Sequence, residues 1–332
     1  GRIIGGTSAY PAQFPFAAAI TVQTTNSKFF CGGALISTEW VLTAGHCVYG
    51  GILFTIQLGS NSLTEDDSNR LILATSNYMV HPNFNPDTTE NDIGLIKFRM
   101  AIQYTDYIQP PNSLPTSPIL DYQNVMAIGW GQVNDSSPEL SDYLNWVLLS
   151  SISNEECKLT YGNQITNTMV CVSGNFNEGP CIGDSGAPLI QSLTDGRMVP
   201  VGISSFVSGN GCESVDPSGY TRIYPYLDWI RNVTNIFATR YTINLGSNNL
   251  EGTDPNRVVV ATATSVIHPD YNPDTLENDV GLIRLRLPVD FNEYITAIAL
   301  PQISLSVSAT VTAIGKSRAL EQSTFCAINY II

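Results

Sequence analysis

Apolar runs in the first 240 positions are short and are separated by Gly, Pro, Asn and Ser, the punctuation of antiparallel β structure. Strands are expected over Cys31–Ser37, Ile93–Phe98, Val125–Trp130, Ala187–Gln191 and Val199–Val207. One stretch in this part of the chain has helical spacing. From Pro225 it places Leu227, Ile230, Val233 and Phe237 three to four residues apart, with the proline at a first-turn position. The pattern predicts a β-rich body closed by one helix.

The same pattern then returns. Thr55–Arg99 recurs without a gap as Thr242–Arg286, with LGSN, NR, HP, NPDT, END and GLI at the same spacing and more than half of the positions identical. Weaker similarity continues to Ala127-Ile128-Gly129 against Ala313-Ile314-Gly315. Residues 238–332 are therefore expected to be a partial copy of roughly residues 55–131, an incomplete β-rich repeat. His268 and Asp279 correspond to His81 and Asp92, and no counterpart of His46 is present.

Composition narrows the class. Of 332 residues, 43% are hydrophobic and 13% charged, as in a globular protein. A formal charge of −14 disfavours nucleic acid and anionic membrane as partners. No apolar run reaches the ~18 residues needed to cross a bilayer, and the start lacks an apolar leader core, so any signal peptide is expected upstream of Gly1. Of seven cysteines, six lie between Cys31 and Cys212, with Cys326 apart. An even set plus a stray predicts three disulfides of open connectivity and one free thiol. Seven reduced cysteines in a cytosolic protein are the alternative. There is no close Cys-x-x-Cys pair, so no metal site is expected, and no cofactor either.

Three pieces carry candidate chemistry: Thr43-Ala44-Gly45-His46-Cys47, Asn91-Asp92-Ile93-Gly94-Leu95 and Gly183-Asp184-Ser185-Gly186-Ala187-Pro188. Each alone has an ordinary structural explanation: a histidine beside a cysteine, a strand-end turn, a glycine loop. Together, in the order His, Asp, Ser, they supply a base, a group to orient it, and a nucleophile.

With Ile3-Ile4-Gly5-Gly6 after Arg2, Cys31-Gly32-Gly33, Gly129-Trp130-Gly131 and Thr221-Arg222, residues 3–237 resemble the chymotrypsin-like (trypsin-like) serine proteases. Phe30-Cys31-Gly32-Gly33 and Tyr226-Leu227-Asp228-Trp229-Ile230 add a weaker likeness to arthropod digestive and collagen-cleaving types. The resemblance implies an all-β fold of two antiparallel Greek-key barrels with a C-terminal helix. It also implies a catalytic set of His46, Asp92 and Ser185, and an oxyanion hole from the N–H groups of Gly183 and Ser185. Gly1-Arg2 would be the remnant of an activation peptide. Cleavage after Arg2 would free Ile3 to pair with Asp184. The implied disulfides are Cys31–Cys47, Cys157–Cys171 and Cys181–Cys212, which favours secretion, into a gut lumen or other extracellular fluid. Asn134 and Asn232 head glycan-acceptor triplets.

The resemblance further implies a substrate-binding set of Gly179, Pro180, Ser205, Phe206, Val207 and Ser218. Gly179 offers no carboxylate for a basic side chain and Val207 narrows the entrance, so small or medium apolar residues are expected before the scissile bond, with Glu178 close by in sequence. Gly45, Gly94 and Ala187 depart from the commonest family pattern. Ser60 stands where an acidic calcium loop would begin, so no calcium requirement is expected. The expected partners are protein or peptide substrates, an activating protease and protein protease inhibitors; the expected state is a monomer. The rival function is a catalytically inactive homologue acting as a binding or cofactor protein.

Overall fold

Leu53–Leu58 shows how the strands form. Phe54, Ile56 and Leu58 are buried while Thr55 and Gln57 are partly exposed, the two-residue period of a half-buried strand. The computed structural model describes residues 3–174, 178–234, 241–247, 254–262, 265–267, 277–278, 280–283, 285 and 288–297. The chain separates into two units, Gly1–Ile236 and Phe237–Ile332.

In the first unit, a two-residue strand β1 (Thr7–Ser8) precedes β2 (Ala17–Gln23), β3 (Lys28–Leu35), β4 (Trp40–Thr43), β5 (Leu53–Leu58), β6 (Leu71–Thr75), β7 (Tyr78–Val80) and β8 (Gly94–Lys97). Strands β2–β8 form one curled antiparallel sheet in the order β6-β5-β2-β3-β4-β8-β7. Next come β9 (Asn124–Gly129), β10 (Asn145–Ile152), β11 (Met169–Val172), β12 (Pro188–Ser192), β13 (Met198–Phe206) and β14 (Ser218–Arg222). They follow the order β10-β11-β14-β13-β12-β9, and β9 also pairs with β10, closing a six-stranded barrel. All five expected strands are present, shifted at their ends. Closure removes the free edges that an open sheet would expose.

The expected helix begins as a 3-10 turn, Tyr224–Tyr226, which holds Pro225, and continues as the α-helix Leu227–Thr234 with Leu227 and Ile230 buried. Phe237 lies outside the described residues. The first unit contains a second full helix that the spacing did not predict. Asn154–Tyr161 is mostly exposed and lacks an apolar stripe. Its sequence signal is the Ser153-x-x-Glu156 start, and Ser153 Oγ accepts the Glu156 N–H at 3.1 Å.

One large core joins the first sheet to the barrel and the terminal helix through Phe16, Ile20, Leu42, Ile128, Trp130 and Ile230. A second fills the barrel with Val125, Val170, Leu189, Val201 and Tyr220, and it includes Ile3. Disulfides Cys31–Cys47, Cys157–Cys171 and Cys181–Cys212 are formed; Cys326 lies outside the described residues. No described helix is long and apolar enough to cross a membrane.

The second unit reproduces two hairpins of the first. Tyr241–Leu245 pairs with Val258–Thr262, and Thr242↔Ala261 matches Thr55↔Ala74 of β5–β6. Ser265–Ile267 pairs with Gly281–Ile283, and Val266↔Leu282 matches Met79↔Leu95 of β7–β8. Leu95 and Ile93 are fully buried in the first unit, whereas Leu282 and Val280 are exposed in the second. In the first unit Ile93 and Leu95 pack into the large core and β8 is paired with β4, which has no counterpart in the repeated sequence.

Candidate active site

Asp92 sits at the entrance to β8, has no exposed surface, and is bonded from three elements. Its Oδ1 accepts the backbone N–H of His46 at 2.8 Å, and its Oδ2 faces His46 Nδ1 at 2.8 Å. Oδ2 also accepts Ser205 Oγ at 2.6 Å from β13, while the Asp92 carbonyl accepts Thr221 Oγ1 at 2.8 Å from β14. A buried carboxylate so fully bonded offsets its desolvation. Because Nδ1 takes the carboxylate, Nε2 of His46 is the ring nitrogen left for another partner.

His46 rides on a single helical turn, Gly45–Val48, after β4, anchored by the Cys31–Cys47 disulfide. The ring is partly exposed, with 31% of the side-chain surface accessible. Nε2 lies 3.7 Å from Cys47 Sγ, and no hydrogen bond joins it to Ser185 Oγ among the described residues. In free hydrolases this last contact is commonly long and tightens in the substrate complex.

Gly183 has φ +98 and Gly186 has φ +80, so both occupy left-handed backbone that favours glycine. Space also restricts position 183: a Cβ there would lie 2.4 Å from Leu140 Cδ2. Along residues 183–187, the N–H groups of Asp184, Gly186 and Ala187 are bonded to the carbonyls of Cys181, Ser204 and Asp184. Those of Gly183 and Ser185 have no acceptor among the described residues. They are the two donors expected for an oxyanion.

Asp184 is buried behind this turn, its Oδ1 accepting Gly131 N–H at 2.7 Å and its Oδ2 accepting Cys181 N–H at 2.9 Å. Burial pushes its carboxyl up to about 7, against the lowering effect of those two donors. The Gly129-Trp130-Gly131 motif is explained here. A Cβ on Gly129 or Gly131 would come within 2.4 Å of the Asp184 carboxylate. Ile3 is completely buried at φ +47, and Ile4 forms a bridge with Gly179. Arg2 lies outside the described residues.

Around the expected specificity pocket, a Cβ placed on Gly179 would be 3.7 Å from Ser218 Oγ, so a glycine and a hydroxyl face each other. Phe206 packs edge-on to Tyr161 at 5.2 Å and covers Gly219, where a Cβ would meet its ring at 2.1 Å. Tyr161 Oη donates to the Pro217 carbonyl at 2.5 Å, and the Cys181–Cys212 disulfide ties this region to the nucleophile loop. The Glu178 side chain lies against Gly5, its Cγ 2.3 Å from a Cβ built there. Ser205, grouped with the substrate-binding residues by resemblance, directs its hydroxyl to Asp92.

The three family departures are packing adjustments. A Cβ on Gly94 would lie 2.5 Å from Val48 Cγ2, and one on Gly45 would lie 3.1 Å from Phe84. The Ala187 methyl group fills the space beside Gly32. Among the described residues two clusters have metal-ligand spacing, Cys31-His46-Cys47 and Asp135-Cys181-Cys212, but their sulfurs are in disulfides and offer no thiolate.

A family model described as Trypsin matches residues 3–230 and again 233–329. Brachyurin from Leptuca pugilator is 35% identical over 235 residues, covering 70% of this chain and 99% of that protein. A collagenase from Hypoderma lineatum is 37% identical over 242 residues, covering 71% of this chain and 88% of that protein. The structure described as HL collagenase superposes with a TM-score of 0.64 at 34% identity, covering 70% of this chain and 99% of that one.

Proposed function

This chain belongs to the trypsin family and is a serine endopeptidase, and from that premise we propose that it works through Ser185, His46 and Asp92 after a cut between Arg2 and Ile3. The observation that most supports the reading is the grip of buried Asp92 on both the backbone N–H and Nδ1 of His46. That grip selects the tautomer whose Nε2 takes the Ser185 proton as Oγ attacks the scissile carbonyl. Asp92 then stabilises the imidazolium, which passes the proton to the leaving amine. The negative oxygen of the tetrahedral intermediate is met by the N–H groups of Gly183 and Ser185. Water resolves the acyl-enzyme by the same steps in reverse.

Activation draws on Asp184. A fully buried carboxylate held, among the described residues, by two backbone N–H groups, with Ile3 already in the barrel core, would have a place for a cation. The ammonium freed on Ile3 would supply it and hold the oxyanion turn. The neutral pocket of Gly179, Val207 and Ser218 favours cleavage after Leu, Ala, Val or Met over Arg or Lys. A relative named collagenase brings collagen into the range of substrates to be tried. The three disulfides support an extracellular setting, including a gut lumen. There the enzyme would act as a monomer, meeting its activating protease and protein inhibitors.

The test is Ser185→Ala in the cut protein. Peptide hydrolysis should fall by about 10⁵- to 10⁶-fold with the fold retained, and undiminished turnover would remove the assignment. Profiling the parent on peptides varied before the scissile bond tests the pocket: best turnover after Arg would overturn it.

A further inference from the structure

Asp92 is oriented from in front by His46 and Ser205, and its preceding residue is held from behind by the terminal helical segment. Asn91 has φ +54, a left-handed conformation that turns the chain so that Asp92 faces His46 while Ile93 enters the core. Its side-chain amide is used at both ends. Oδ1 accepts Tyr226 Oη at 2.9 Å, and Nδ2 donates to the Asn83 carbonyl at 2.9 Å. Asparagine meets all three demands. Glycine would accept the backbone angle without the two bonds, and aspartate would lack the donor.

Tyr226 is itself fixed. It is 4% exposed, and the His81 ring meets it edge-on at 5.1 Å and Trp229 at 5.2 Å. The His81 N–H also donates to the Ile93 carbonyl, so the same loop is tied on both sides of Asp92. We propose that Tyr226 is a positioning residue for Asp92, acting through the Asn91 amide to set the Asp92–His46 geometry. This rests on the assignment of Asp92 as the partner of the catalytic base.

The charged and titratable groups around the contact are Asp92, Glu90 and His81. Burial raises the Tyr226 hydroxyl above its ordinary value, and the charges of Asp92 and Glu90 raise it further, against a hydrogen bond with Thr168. The hydroxyl therefore remains a donor across the working pH range. Burial lowers His81, which keeps its ring neutral against Tyr226 near pH 7.

The experiment uses the full chain, cut after Arg2, as Tyr226→Phe, Asn91→Gly and the double variant, beside Asp92→Asn. Each single variant should lower kcat about three- to tenfold with KM unchanged, the scale of one lost hydrogen bond. The acidic limb of kcat/KM should move down by a few tenths of a pH unit, because a loosened Asp92 stabilises the His46 imidazolium less. The double variant should be no worse than the worse single one, since both cut one link. Thermal melts separate this from lost stability. Lower melting temperatures with kcat and the limb unchanged would overturn the proposal, provided Asp92→Asn is inactive. If Asp92→Asn kept parental activity, the triad assignment itself would fail. Should Tyr226→Phe not fold, Asn91→Gly interrogates the same link from the other side.

Discussion

Ser205 Oγ and His46 Nδ1 meet the same oxygen of Asp92, at 2.6 Å and 2.8 Å. One carboxylate oxygen thus divides its charge between a neutral hydroxyl and the ring of the base. Removing the hydroxyl leaves more of that charge to be balanced by the imidazolium. In Ser205→Ala the acidic limb of kcat/KM should therefore move upward, by about half a unit to one unit. Titrating activity of the cut protein against pH checks this. An unmoved or lowered limb would mean that Ser205 does not share the Asp92 charge.

Gly183→Ala should damage both fold and rate. The φ of +98 strains any L side chain, and the new methyl group would overlap Leu140. The displaced N–H would no longer face the oxyanion, at a cost of about 10²- to 10³-fold in kcat. Adding Leu140→Ala relieves the overlap but not the backbone angle. The melting temperature should then recover in part while kcat stays low.

Asp184 gives a pH signature to the uncut chain. Its folded value of about 7 stands above the 3.8 of the exposed group. Between those values the native state holds a proton that the unfolded state has released. Stability of the uncut chain should therefore fall as pH rises from about 4 to 7, by an amount on the order of 4 kcal/mol from this group. Under the proposed activation, pairing with the Ile3 ammonium would lower the carboxyl and remove that loss. Thermal melts of cut and uncut protein across this range should diverge with rising pH, the cut form being the more stable. Parallel curves would show that Ile3 does not reach Asp184.

Ending the chain at Phe237 should leave kcat and KM unchanged after activation and should raise solubility. The first unit holds all the proposed site residues, while the second exposes Val259, Val280 and Leu282. Turnover and light scattering of both forms measure this. An active full chain beside an inactive shortened one would make the repeat part of the working fold.

The sequence alone marked the proposed chemistry-bearing residues. His46, Asp92, Ser185, Gly183 and Asp184 lie in short local patterns, and the left-handed backbone at 183 favours glycine there. It also determined the strands with alternating burial and the repeat, whose two hairpins keep the register of the originals. Which distant groups meet them depended on the folded arrangement. Ser205, Thr221 and Tyr226 reach the Asn91-Asp92 pair across 113 to 135 positions of chain, and nothing in their own neighbourhoods announces a bond to a carboxylate or an amide. The small residues at 45, 94 and 187 likewise departed from pattern without visible cause until Phe84, Val48 and Gly32 were placed against them. Local patterns record what one stretch of backbone must do. Packing between strands far apart in sequence decides which hydroxyl, ring or methyl group occupies the space beside it.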